Sequence, residues 1–405
     1  MTGRGWALLV GALVSMVAGR LLGLEDLYIV GAGLVLACLA ALAYVRAVRP
    51  RLEATRRVLP ARVHAGSSSR VELTIANRGK RRSPVCSVED PFDAGSRWAR
   101  FLVAPLASGE VARAAYRLPT DRRGIYDLGP LQVGVTDPFG LATRVVEGAP
   151  LSRLVVFPRI DPIEPPPISN GDDPLAGADH PRALTGGGED FYALRPYVRG
   201  DDLRKVHWPS TARTDDLMLR QDEMPWQSRS TVLVDVRSET CPPPALELVV
   251  SAAASIVVAA AQHEGLQRMI TTGGFDSRAG NRGPHADVIL EHLAGVRAGR
   301  GSIVAALTNL RRSQGGGALV AVTTSLATAA DIQAMAGLRP RFGSVTVVVF
   351  EQSAWTGTPA AVGPPPVRRG MRVVRVTADR PFSAAWAVHA GTPRRAPSRP
   401  TGANR

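Results

Sequence analysis

Two adjacent carboxylates, Asp201 and Asp202, with the imidazole of His207 five residues further on, are the side chains whose types could do chemistry. Two carboxylates and an imidazole are ordinary ligands for a divalent ion and ordinary partners in proton transfer. Neighbours on a turn point in different directions, however, and no second His or carboxylate stands nearby at metal-ligand spacing. The same stretch is rich in arginine. Arg195, Arg204, Arg213 and Arg220 can pair with Glu189, Asp201 and Asp202, and a planar guanidinium suits such carboxylates better than an ammonium. Tyr197 and Trp208 add residue types that anchor protein interfaces. The expected role of Arg195, Tyr197, Asp201, Asp202, Arg204, His207, Trp208, Arg213 and Arg220 is a structural or protein-binding network, with no catalytic residue and no metal. The competing reading is a membrane-tethered hydrolase that uses Asp201, Asp202 and His207.

Other chemistries fail on their motifs. Gly186-Gly187-Gly188 and Gly315-Gly316-Gly317 lack the Lys-Ser/Thr that completes a phosphate loop, and no Gly-x-Gly-x-x-Gly follows a strand. No Gly-x-Ser-x-Gly elbow is present. Cys38, Cys86 and Cys241 have no paired spacing, so no disulfide framework or zinc site follows from them, and His263, His285, His292 and His389 are scattered. No cofactor is expected. The net charge of +14 arises from 49 basic and 35 acidic residues, almost all of the basic ones Arg. With 5% aromatic residues and no basic run interleaved with rings, that charge does not point to nucleic acid.

The elements that must position these residues begin with a membrane anchor. Two apolar runs, residues 6–24 and 27–45, are each about 19 residues long, enough at ~1.5 Å per residue to cross a ~30 Å hydrocarbon core as helices. Glu25 and Asp26 are expected to form the turn of this hairpin, residues 1–50. Arg4 precedes the pair, and Arg46, Arg49, Arg51, Arg56 and Arg57 follow it, so the positive-inside rule places both ends in the cytoplasm. The expected location is the cell membrane, multi-pass, with cytoplasmic soluble domains. The arginine cluster 46–57 fits an anionic inner leaflet.

Residues 51–159 read as an antiparallel β-sandwich. Val71, Leu73 and Ile75 alternate with polar neighbours, as do Leu131, Val133 and Val135, and further strands are expected at 111–118 and 151–157. Residues 160–188 are a Pro-rich linker or wrapping segment. The polar stretch, 189–229, leads into an α/β domain at 230–390. Its strands are expected at 231–235, 266–272, 318–323, 345–350 and 371–377, and its helices at 242–265, 286–297, 302–311 and 328–338. Residues 391–405 form a disordered basic tail. The fold class is therefore multidomain: transmembrane helical hairpin, β-sandwich, then α/β.

The order of residues in the polar stretch carries a resemblance. Glu189 and Phe191, Arg195-Pro-Tyr197, Gly200-Asp-Asp202, Arg204, Trp208, Ala212-Arg213 and Leu217-Met-Leu-Arg220 follow the signature of the domain of unknown function 58 family. Upstream, Arg123-Gly124-Ile-Tyr126 and Asp137-Pro-Phe-Gly-Leu141 look like its lead-in. His207 departs from the acid that many relatives carry there. The resemblance implies that the α/β region is a von Willebrand A-like domain, whose metal site would have Asp-x-Ser-x-Ser after its first strand. Here Asp235 is retained and Ser238 is near, but Arg237 and Glu239 replace the two serines, and Val322-Thr323-Thr324 stands in place of Thr-Asp-Gly. The family pattern thus implies a degenerate metal-site remnant at Asp235 and Ser238. As partners it implies a MoxR-type AAA+ ATPase and, with it, a transglutaminase-like membrane protein. The function expected is a non-enzymatic membrane-anchored scaffold or adaptor in assembly or remodelling of an envelope complex.

Overall fold

The computed structural model describes residues 1–48, 50–93, 95–166, 193–196, 208–214, 216–221, 229–262, 266–280, 283–313, 316–358 and 371–390. The chain divides into two compact units, Met1–Arg159 and Ile160–Arg405.

In the first unit, α1 (Gly3–Leu22) and α2 (Glu25–Ala47) pair as a hairpin. Gly23 turns the chain at φ 67°, in the left-handed region that glycine enters without strain. The acidic pair therefore does not form the turn: Glu25 and Asp26 open α2, where their charge complements the helix dipole. Buried residues recur at a seven-residue interval, Gly5, Ala12 and Gly19 on α1 and Gly31, Cys38 and Val45 on α2. All but Val45 are small, which lets the two backbones approach. At Gly31 an added Cβ would lie 2.7 Å from Met16 Cγ. The outer faces stay apolar and exposed, with Leu13, Val14, Leu36 and Leu39 among them.

Ten strands follow: β1 (Leu52–Leu59), β2 (Arg62–His64), β3 (Ser69–Asn77), β4 (Cys86–Phe92), β5 (Arg97–Val103), β6 (Val111–Leu118), β7 (Gly124–Leu128), β8 (Leu131–Thr136), β9 (Thr143–Ala149) and β10 (Ser152–Phe157). One sheet has the order β1-β3-β6, and the other β2-β10-β7-β4-β8-β9 with β5 added to β4. Pairing is antiparallel except between β2 and β10. Val71, Leu73 and Ile75 point inward from the first sheet and share one core with Val88, Leu131, Val133, Leu154 and Val156 of the second. Arg56 leaves the cluster assigned above to lipid. It points from β1 into the sandwich and forms an ion pair with Asp90 of β4, whose other oxygen accepts from the Tyr116 hydroxyl of β6 at 2.8 Å. The same guanidinium donates to the Leu128 carbonyl at 2.8 Å, to the Pro150 carbonyl and to Ser152 Oγ. The two sheets are thus joined by a fully covered ion pair. Burial, then the charge of Asp90, pushes the Tyr116 phenol well above its ordinary pKa.

The second unit holds a short ladder, β11 (Ala193–Pro196) with β12 (Met218–Gln221), and α3 (Trp208–Thr214) between them. Then come β13 (Arg229–Val234), α4 (Pro243–Ala261), β14 (Leu266–Thr271), α5 (Gly283–Gly295), α6 (Ile303–Arg312), β15 (Ala318–Thr324), α7 (Ala329–Ala336), β16 (Ser344–Phe350), α8 (Ser353–Thr356), β17 (Met371–Val376) and α9 (Phe382–Ala390). The sheet is all parallel, ordered β14-β13-β15-β16-β17. Among the described residues three helices, α1, α2 and α4, are long and apolar enough to cross a membrane. Two-thirds of the α4 window is buried, against 17% and 22% for α1 and α2, because α4 packs on the sheet. A helix covered on most of its faces reads as apolar all round. Residues 160–166 run along this unit: Asp161 N–H donates to Ser255 Oγ, and the indole of the buried Trp386 donates to the Glu164 carbonyl at 2.7 Å.

Candidate functional site

In the strand order of this sheet, the chain leaves β13 toward β14 on one side and later returns through β15 on the other. The connections diverge beyond the carboxyl ends of β13 and β15, and the crevice at such a switch point is where open α/β sheets bind ligands. Asp235 stands in it one residue past β13, with Thr323 from β15, Thr272 just past β14 and Asp331 from the first turn of α7.

The crevice is filled by the chain's own guanidinium. Arg237 Nε and one terminal nitrogen donate to the two oxygens of Asp235, both at 2.9 Å, and that terminal nitrogen also reaches Asp331 at 3.0 Å. The other terminal nitrogen lies 3.4 Å from Glu239. Thr272 and Thr323 donate their hydroxyls to the two Asp235 oxygens at 3.2 and 2.9 Å. Asp235 is 0% and Arg237 8% exposed at the side chain. Asp331 is held by the capping box it makes with Thr328 at the start of α7. Gly301 lets the covering loop come close, because a Cβ there would lie 2.7 Å from the Thr272 carbonyl and 3.1 Å from the Arg237 stem.

Burial alone would raise the Asp235 carboxyl. The hydrogen bonds and charge of Arg237, with Thr323, outweigh it and hold the group below the ordinary carboxylate range. The same pairing raises Arg237, so both partners stay ionised. Burial, then the charge of Asp235, pushes the Cys241 thiol up to about 12. That thiol donates to the Asp235 carbonyl at 3.1 Å and is a neutral structural group, not a nucleophile.

The residues present do not fit a divalent cation at this place. Both Asp235 oxygens are taken by a fixed positive charge and two hydroxyl donors, and Ser238, the other residue of the expected remnant, is exposed. Among the described residues no group of three His, Cys, Asp or Glu side chains could hold a metal ion.

Tyr197, Asp201, Asp202, Arg204 and His207 are outside the described residues, as are Glu189 and the greater part of 160–188 and all of 391–405. Arg195 and Arg220 stand on β11 and β12, where Leu194 faces Arg220 and Arg195 faces Leu219. Trp208 and Arg213 lie on α3, both exposed, Trp208 by 68%. Sequence reasoning missed Thr272 and Asp331 at the crevice. The signal for Asp331 was its place three residues after Thr328, which marks a helix start. Thr272 carries no such local signal.

At the other end of the same strands, Arg229, Ser230, Gln267, Arg268 and Arg278 line a cavity of about 210 Å³. Arg268 is engaged there by Asp276, whose carboxyl this pairing holds down at about 2.

Residues 193–353 match the model of the family described as protein of unknown function DUF58, which supports the resemblance read from the polar stretch. Residues 49–134 match CARDB, which agrees with the β-sandwich found there. No curated protein matches the chain. Among solved structures, the CARDB domain of a Pyrococcus furiosus protein is 15% identical, covering 27% of this chain and 94% of that one, at a TM-score of 0.22. A β-glucosidase from Erythrobacter marinus is 16% identical over 26% of this chain and 15% of that one, at 0.19. A Pseudomonas fluorescens alkylpurine DNA glycosylase is 11% identical over 33% and 38%, at 0.18. At these TM-scores none of the three carries an argument about this chain.

Proposed function

We propose that this chain is a non-enzymatic, membrane-anchored scaffold. In this reading α1 and α2 cross the membrane with both ends in the cytoplasm, the sandwich is a spacer, and the α/β unit is a von Willebrand A-like domain that recognises a partner without metal. The single observation that supports it most is the filled crevice. Where an α/β enzyme keeps an open reacting position, this chain places Arg237, and the buried thiol beside it is neutral. The apolar exteriors of α1 and α2 support the anchor, and Arg4 and Arg46 at their outer ends support its orientation.

The partner we propose is a MoxR-type AAA+ ATPase, with a transglutaminase-like membrane protein as a further component, acting in assembly or remodelling of an envelope complex. The exposed Trp208 and Arg213 of α3 are residue types suited to such a contact. Crosslinking in native membranes followed by purification of the full chain tests this. Recovery of an ATPase, weakened by Trp208→Ala with Arg213→Ala, is the expected result. Reproducible absence of any ATPase would overturn it.

A further inference from the structure

The loop 137–142 and the basic turn 78–82 lie at the end of the sandwich where the hairpin joins. Thr2 N–H donates to the Leu141 carbonyl at 2.9 Å and Thr2 Oγ1 to that of Gly140 at 2.6 Å, while Leu141 and Ala142 pack with Cys38, Ala41 and Val45 of α2. Asp137 fixes the loop by accepting from the N–H groups of Phe139 and Ala142 at 2.9 and 2.6 Å. Gly5, against which Leu141 rests, lies about 27 Å along α1 from the Gly23 turn at ~1.5 Å per residue, close to the ~30 Å of a hydrocarbon core. Phe139, at the tip of this loop, is 76% exposed. The basic turn is at the same end: Asn77 pairs with Leu52, and Arg78 N–H donates to the Arg51 carbonyl at 2.8 Å, a few residues after α2 ends. Lys80, Arg81 and Arg82 are exposed there, while Arg78 is paired with Glu53 at 2.7 Å and Glu110 stands in the neighbouring turn.

From this placement we infer that the hairpin end of the sandwich is a binding face for an anionic phospholipid surface. Phe139 enters the boundary between headgroups and acyl chains, and Lys80, Arg81 and Arg82 meet the lipid phosphates. The inference rests on the reading of α1 and α2 as membrane spans. An aromatic ring held by its own loop at the level where a span leaves the hydrocarbon has lipid as its neighbour, and the adjacent turn has the complementary charge.

The test reconstitutes the full chain in nanodiscs of phosphatidylcholine and phosphatidylglycerol that carry a diazirine acyl-chain lipid, with adducts mapped by mass spectrometry after illumination. The expected result is labelling of the hairpin and of the peptide bearing Phe139, with background at Trp98, which is 59% exposed but opposite Pro91 at the far end of its strand. Labelling of Phe139 is expected to fall when phosphatidylglycerol is omitted, and to fall likewise in Lys80→Glu with Arg81→Glu. A labelled hairpin with background at Phe139 overturns the inference and leaves the spans in place. Background at both overturns the spans as well. Labelling of Phe139 that ignores both lipid charge and the Glu substitutions removes the basic turn from the face.

Discussion

Arg56 and Arg237 each bury a guanidinium against an aspartate, but Arg56 does so between two sheets and Arg237 at the open end of one. Around Arg56 the ion pair itself is covered, Asp90 at 0% and the Arg56 side chain at 1% exposure, and only the Pro150 carbonyl and Ser152 lie toward the surface. Around Arg237 the inner partner, Asp235, is sealed, whereas Asp331 is 12% and Glu239 65% exposed. One arrangement is a joint inside a core. The other is a plug in a place where α/β folds usually accept a ligand. The contrast teaches that the same pair of residue types serves cohesion or closure according to which elements supply the partners.

Removing one partner from a covered pair leaves an uncompensated charge, so Arg56→Ala is expected to cost ~3–5 kcal/mol, the largest effect here. Chemical denaturation of the sandwich unit within the purified chain measures it, and an Arg56→Met, Asp90→Leu double variant should recover much of the loss. If Arg56→Ala proves harmless, the two pairs do not differ as described.

Arg237→Ala should cost less, about 2 kcal/mol, because water can enter from the Asp331 and Glu239 side to solvate Asp235. Its pH dependence is the sharper reading. In the native chain the folded Asp235 carboxyl titrates below its unfolded value of ~3.9, so its contribution is present above about pH 4 and is lost as pH falls through the folded pKa. Without the Arg237 side chain, burial is opposed only by the hydroxyl and backbone N–H donors that remain, so the folded pKa rises. The variant's deficit should therefore shrink as pH is lowered from 7 toward 5, which thermal melts at the two values will show.

A smaller change tests the joint between hairpin and sandwich. Gly5→Ala places a methyl against the Leu141 carbonyl and is expected to cost about 1–2 kcal/mol, while Gly11→Ala, with nothing within 4 Å, should be neutral. Equal melting temperatures for the two variants would contradict the docked loop. Least disruptive of all is alkylation: Cys241, with its thiol raised to about 12, should resist iodoacetamide at pH 8 until the chain is unfolded.

The sequence disclosed regular elements well and long-range partners poorly. Strands with clean alternation or continuous β-branched residues were legible: β3, β6 and β8 of the sandwich, and β13, β15 and β16 of the sheet. In contrast, β1 carries Arg56 on its inward face, which breaks the apolar alternation, and β5 and β9 have mostly exposed or half-buried residues, which leave no inward pattern to read. The hairpin was legible from its apolar length. Its seven-residue series of Gly, Ala and Cys was present in the text too, but small residues are inconspicuous among so many. At the crevice, Asp235 and Arg237 were visible as a departure from a metal motif because they are two residues apart. That they bind each other, and that Thr272, Thr323 and Asp331 complete them, depends on chain crossings that local sequence does not encode.

The central claim is that a fixed guanidinium occupies the place where a cation or substrate would otherwise enter. Electron paramagnetic resonance of the purified full chain titrated with Mn²⁺ tests it most directly. The account predicts only the spectrum of the free hydrated ion at millimolar Mn²⁺. A stoichiometric bound signal that disappears in Asp235→Asn would contradict it.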